Sequence, residues 1–412
     1  METLTTPTAP ARFDTGARLR PFPLLLDAAG PAWLVAAFFA RLPIAMLPLP
    51  VLLHGQSLTG SFAAAGLMLA ALSLGWAAGA PLIGAFADRW GPRRTVLAMT
   101  AAAVVTLSTL ISFAWWPPVP VAVLVGASLL VGLSNAQIGA IARAGWSARF
   151  AAEPHGARKI EVALGYETVA DEVSFVAGPV IGATLATLVS PVVAIGAALA
   201  VLVVAQLAFA ARLATPTATT GRRPRGPVSP RLAVWVALSF LVGGVFGTVQ
   251  TGLTASLTGT DHAPLTGVVY AFVGLGSAIS GMLTHLLHRW PLPRRAIVFG
   301  LLLAVAAAGL LGAGHLALLM AACVGIGLCV APLLVAAFTA AERLASSGNT
   351  LAVTLLSGAN AAGVGAGAAA AGLVIDAVGV TAALGLPVLL GVACALVGLV
   401  ARLVRADVPL AR

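Results

Sequence analysis

The sequence predicts an all-α, polytopic membrane protein with twelve transmembrane helices in two pseudo-symmetric six-helix bundles. Three observations carry that expectation. Of 412 residues, 60% are hydrophobic and only 9% charged, a balance foreign to soluble domains. The apolar residues gather in long runs, and the basic residues gather in alternate gaps between them. One polar, proline-rich gap divides the runs into two sets of six.

A helix crosses a hydrocarbon core of about 30 Å with about 20 mostly apolar residues. On that rule the spans fall near residues 30–53, 61–85, 95–115, 119–142, 168–190, 192–212, 231–256, 265–287, 295–313, 316–339, 349–375 and 379–402. Helix is the expected state, because it satisfies every backbone group within the segment. Abundant Ala and Gly let such helices approach closely where lipid supplies no hydrophobic drive.

The gaps fix an orientation. Arg12, Arg18 and Arg20 precede span 1; Arg89, Arg93 and Arg94 follow span 2; Arg143, Arg149, Arg158 and Lys159 follow span 4. Arg222, Arg223 and Arg225 follow span 6, Arg289, Arg294 and Arg295 follow span 8, Arg343 follows span 10, and Arg402 and Arg405 follow span 12. The opposite gaps, near His54, Pro117, Pro191, His262, His315 and Gly379, carry no Lys or Arg. By the positive-inside rule both termini are expected in the cytoplasm, in a multi-pass protein of the plasma membrane. Residues 1–24, which lack the apolar core of a signal peptide, are expected to be a cytoplasmic tail. Residues 25–213 form the first bundle, 214–230 a flexible Pro-, Thr- and Arg-rich linker, 231–405 the second bundle and 406–412 a second tail.

Between spans 2 and 3 runs Gly84-Ala85-Phe86-Ala87-Asp88-Arg89-Trp90-Gly91-Pro92-Arg93-Arg94. It ends an apolar helix, turns at Gly91 and holds the turn in water with cations. This stretch resembles the loop motif between helices 2 and 3 of the major facilitator superfamily, with every position matched. A weaker copy returns in the second half from Gly281 to Arg295, sharing the leading Gly, Arg-Trp and Pro-Arg-Arg, with His285 about where Asp88 would stand. Phe175-Val-Ala-Gly178-Pro179-Val-Ile-Gly182 resembles part of the helix 5 motif associated with exporters, especially proton antiporters. Pro179 frees a carbonyl and bends the helix. Gly178 and Gly182, four apart, are expected to make a smooth face toward a helix of the other half.

The resemblance implies two bundles rocking about a central cavity, and a role for Asp88 against the amino-terminal end of span 11. That end falls near Ser346-Ser347-Gly348-Asn349-Thr350, rich in capping residues. Gly84, Asp88, Arg89, Gly91, Arg93 and Arg94 are therefore the expected conformational switch. Arg41 lies about eleven residues into span 1, near mid-membrane, where a cation needs a partner or a watery cavity. Pro43 is positioned to kink the helix beside it. Candidate partners are Asp171 and Glu172, with Glu167 on the face of Asp171; Glu172, the deeper of the adjacent pair, is preferred as a proton site. Asn135, Gln250 and Asn360 are the other cavity candidates, and interhelical packing is the alternative for each. No acid sits clearly at mid-membrane.

Other classes are set aside. The formal charge of +10 is dispersed between apolar runs rather than gathered on one face, which argues against nucleic acid. Cys323, Cys329 and Cys394 lie inside apolar runs without metal-ligand spacing. Gly363-Val-Gly365-Ala-Gly367 lies within a span with no strand before it, so it is not a nucleotide loop. No Walker motif or nucleophile–base set is present. No enzyme, cofactor or metal is expected. The expected function is secondary active transport of a small molecule by alternating access in the lipid bilayer, by a monomer, leaning to export and to proton-coupled antiport. The alternatives are an uptake permease of the same fold and a non-transporting sensor or assembly protein.

Overall fold

A computed structural model describes residues 21–116, 118–151, 153–213, 229–312, 314–344 and 350–406. Residues 1–20, 214–228, 345–349 and 407–412 lie outside that set, and with them most of the expected tails, the linker and the capping residues proposed to face Asp88. Among the described residues every regular element is helical.

Twelve helical segments among the described residues are long and apolar enough to span a membrane: Pro31–Thr59, Phe62–Trp90, Pro92–Trp115, Val121–Phe150, Arg158–Leu188 and Pro191–Ala210 in the first half, then Leu232–Leu257, Ala263–Leu283, Leu292–Gly312, Leu316–Leu344, Leu351–Ala377 and Val380–Leu403. They are numbered spans 1 to 12 below. Short turns join them where the sequence supplies positive φ or a cap. Gly60 takes φ 70° after span 1, and Ser61 then caps span 2 by accepting from the amide of Ala64. Gly91 takes φ 86° between spans 2 and 3, a conformation open to glycine at no steric cost.

Three spans depart from the simple runs. Span 1 is interrupted at Leu47, before Pro48, which has no amide to donate; Pro43 alone leaves the helix unbroken. Span 4 is two helices, Val121–Leu133 and Ile138–Phe150, parted by Ser134–Gln137 with Gln137 at φ 50°. Span 5 begins about ten residues earlier than its apolar run, because charged side chains in its first turns find partners on spans 1 and 4 rather than ending the helix.

Each half has its own core. Residues from Leu232 to Ala406 make one apolar cluster in the second half. In the first half Trp33 packs edge-on against Trp146 and beside Phe209, with ring centroids 4.7 and 5.5 Å apart. The halves meet along two antiparallel seams. In the first, Gly66 lies against Ala368, Gly365 against Ala70 and Gly372 against Phe62, so span 2 runs backbone to backbone with span 11. In the second, Gly267 of span 8 lies against Pro179 and Ala183, and Gly274 against Val176. Both seams occupy the end of the molecule that holds Ser61 and Asp376. Toward the other end the seams open: a Cβ at Gly84 or at Gly358 would meet nothing, and Leu82 and Asp88 are exposed.

Candidate functional site

Arg41 is the anchor of a charged cluster between spans 1, 4 and 5. Its Nη2 donates to Glu167 Oε2 at 2.5 Å and its Nη1 to Asp171 Oδ1 at 2.9 Å. Nε returns to the Ala37 carbonyl at 3.1 Å, and Nη1 also reaches the Glu167 carbonyl at 3.3 Å. The helical spacing explains the pair of acids: Glu167 and Asp171 are four apart on one face of span 5, one turn above the other. Glu167 is closed on its second oxygen by Trp146, whose Nε1 donates to Oε1 at 2.8 Å. Asp171 Oδ2 accepts from Arg143 Nη2.

The cluster has an inner and an outer part. The Arg41 and Glu167 side chains are 4% and 0% exposed, whereas Asp171 and Arg143 are 28% and 39% exposed. A buried pair with every oxygen taken is rigid; a half-exposed pair can trade one partner for water or another ligand. Two cations and two anions leave the whole formally neutral. The break in span 4 serves it, because the second helix of that span starts at Ile138 and a Cβ on Gly139 would lie 3.5 Å from Asp171 Oδ1. The start of that helix therefore faces the carboxylate, the favourable sense for its dipole.

Glu172 does not join this cluster. One residue along a helix turns the side chain by about 100°, and Glu172 is exposed, with no described partner. It continues the stripe of Val176, Pro179 and Ala183 that meets span 8, one turn past the last contact and in the part of the seam that has opened. Of the two adjacent candidate partners for Arg41, helix geometry brings Asp171 to it and not Glu172, and Glu167 on the face of Asp171 joins them. The expected face of the helix 5 motif is corrected. Gly178 and Gly182 press on the backbone of Ala45 and Met46 in span 1 of the same half, while Pro179 and Ala183 take the inter-half contact.

The other cavity candidates scatter. Asn360 Nδ2 donates to the Ser239 carbonyl at 3.1 Å, tying span 11 to span 7. Gln250 is buried in span 7, with no described side-chain hydrogen bond. Asn135 lies in the break of span 4, lining a small internal cavity with Trp76, Ser134 and Gln206, and its Nδ2 is buried without a partner. Asp88, Arg89, Arg93 and Arg94 are exposed where spans 2 and 3 join, beside Gly91. Asp88 has no partner among the described residues, and its expected one, 346–349, lies outside them.

Sequence reasoning missed Arg143, Trp146, Asp376 and Ser61. Arg143 had been assigned to a loop, which removed it as a partner for Asp171. No sequence spacing links Trp146 to Glu167.

The sequence matches the Major Facilitator Superfamily over residues 33–347. No curated protein matches it. Among solved structures, the nucleoside transporter NupG is similar with a TM-score of 0.70 and 12% identity, over 90% of this chain and 98% of that one. A bacterial homologue of the human lysosomal transporter Spinster, in an inward-facing and occupied conformation, gives 0.70 and 14% over 95% and 99%. The human organic anion transporter MFSD10 gives 0.57 and 18% over 90% and 99%. At these identities the likeness is one of fold. With three quarters of the sequence inside the family match, and twelve spans in two bundles, the chain belongs to the major facilitator superfamily.

Proposed function

We propose that the chain is a secondary transporter that carries a small polar molecule across the plasma membrane, outward, in exchange for protons. Residues 25–213 rock against 231–405, and both termini face the cytoplasm. The observation that carries this reading is the seam that closes at the Asp376 end and opens at the Asp88 end, with the Arg41 cluster beside it. An interface closed at one end and open at the other is one of the two states that alternating access requires. The basic gaps support a cytoplasmic open end in this reading.

The outer pair of the cluster is the working part in this proposal. A substrate acid competing with Asp171 for Arg143, or a proton on Asp171, would remove one ion pair while Glu167 still held Arg41. Asn135, Gln250 and Asn360 supply weaker polar contacts along the route. Glu172, on the open stripe facing span 8, is the carboxylate placed to exchange protons with the cytoplasmic side. Asp88 sets the resting state by engaging the amino-terminal end of span 11 when that end of the seam closes.

Purified protein in inside-out vesicles tests the reading. Accumulation of a screened substrate driven by an inward-acid gradient, reduced severalfold in Arg143→Ala, is the expected result. A second reading, an uptake permease of the same fold, is favoured by the absence of a mid-membrane acid outside the Arg41 cluster. It predicts accumulation in right-side-out vesicles instead.

A further inference from the structure

Asp376 lies in the last turn of span 11, yet it caps a helix of the opposite half. Its Oδ2 accepts from Ser61 Oγ at 2.5 Å and from the Ala63 amide at 3.0 Å, and its Oδ1 accepts from the Phe62 amide at 3.0 Å. Ser61 Oγ in turn accepts from the Ala64 amide at 3.0 Å. One carboxylate thus satisfies the first free amides of span 2, at the positive end of its dipole. Hydrogen bonds to an ionised acceptor are the stronger kind.

Two features make this contact a latch rather than a permanent brace. The bonds lie at an exposed site, so water can replace each one as it breaks. The seam behind them is backbone contact at small residues, Gly372 on the backbone of Phe62, Gly66 on Ala368 and Gly365 on Ala70, so little side-chain interlocking at these points resists separation. The Arg41–Glu167 pair is the contrast: buried and within one half.

We propose that Asp376 is a positioning residue of the transport cycle, holding the Ser61 end of span 2 against span 11, and that it must release Ser61, Phe62 and Ala63 for the opposite access state to form. It stands in opposition to Asp88. Spans 2 and 11 are antiparallel, and each carries an acid in its last turn, Asp88 and Asp376; in the proposal each acid engages the amino end of the other span, in opposite states. Closing one acid onto its helix end opens the other. The proposal rests on the transporter reading, but its first test needs no substrate.

Spin labels at Ser57→Cys and Val378→Cys, both exposed positions, read the separation of this end. The native cysteines are buried and stay unlabelled. The expected result is a dominant short distance, with Asp376→Ala and Asp376→Asn raising the long-distance share about tenfold relative to the short, equivalent to about 1.4 kcal/mol. Asp88→Asn should move the ratio the other way, and the Asp88→Asn/Asp376→Asn double variant should return it toward the starting value. A purely structural cap would lower thermal stability additively in the double variant and leave the ratio still; that outcome overturns the proposal. A Ser61→Cys/Asp376→Cys disulfide should stop transport until reduced, and transport that continues with the disulfide formed also overturns it. A chain that transports nothing but shows the opposing shifts would refute the transport reading alone.

Discussion

Arg41 and Glu167 form a 2.5 Å ion pair in which neither side chain meets solvent beyond 4%. Removing Arg41 leaves the buried Glu167 carboxylate without a cation, with only the Trp146 donor beside it. Arg41→Ala is therefore expected to destabilise the protein by about 3–5 kcal/mol, with Glu167→Gln as an intermediate case. Thermal unfolding in detergent measures it. An Arg41→Met/Glu167→Met double variant, which removes both charges, should be more stable than Arg41→Ala. Equal loss in both would mean that the pair contributes through packing instead.

Arg143 holds the same cluster from its exposed side. Its pairing with Asp171 is screened, so Arg143→Ala should cost at most about 1 kcal/mol of stability. Transport should fall severalfold all the same. A variant with native thermal stability and native flux would remove Arg143 from the working site.

Asp88 has no described partner in this state, and its proposed partner forms only when the seam closes at that end. Asp88→Asn is expected to lower the transport rate while expression and substrate binding hold. Rates in reconstituted vesicles decide it, and normal rates would end the switch role.

Gly182 faces the Met46 carbonyl of span 1, where a Cβ has no room. Gly182→Val should lose about 1–3 kcal/mol through overpacking inside one half. Gly84→Ala, open on all sides here, should cost nothing measurable in this state. Parallel thermal scans compare them.

Glu172 separates the proton question from the fold. Glu172→Gln should leave stability unchanged, because the side chain is exposed, while flux loses its dependence on a pH gradient. Gradient-driven flux that persists in the variant would move proton coupling elsewhere, with Asp171 the next carboxylate to test.

Much of the fold could be read in the sequence because lipid imposes a coarse rule: long apolar runs must be helices, and their flanking charges report sidedness. The same rule hid the site. Glu167 and Asp171 lie where charge ends an apolar run, so hydropathy alone gives a span 5 ten residues shorter than the helix and puts Arg143 outside span 4. Their pairing depends on spans 1, 4 and 5 meeting at one depth, which no local pattern encodes. Asp376 was passed over for a related reason. Its meaning lies in the amides of a helix more than 300 residues away in sequence. The helix 5 motif was recognisable, but the face it presents needed the actual rotation of the span.

Span 11 touches both halves through surfaces nearly free of protruding atoms. Gly363 and Gly367 lie on span 7, and Gly365 and Gly372 lie on span 2. Spans 7 and 11 belong to the same half and move together in the proposed cycle, so only the span 2 side can act as a bearing, where backbone meets backbone and few side chains have to disengage. The stroke is then expected to be held at the tips of the helix, and Gly365→Phe, where even a Cβ would meet the Ala70 backbone at 2.9 Å, is expected to keep the seam open rather than unfold either half.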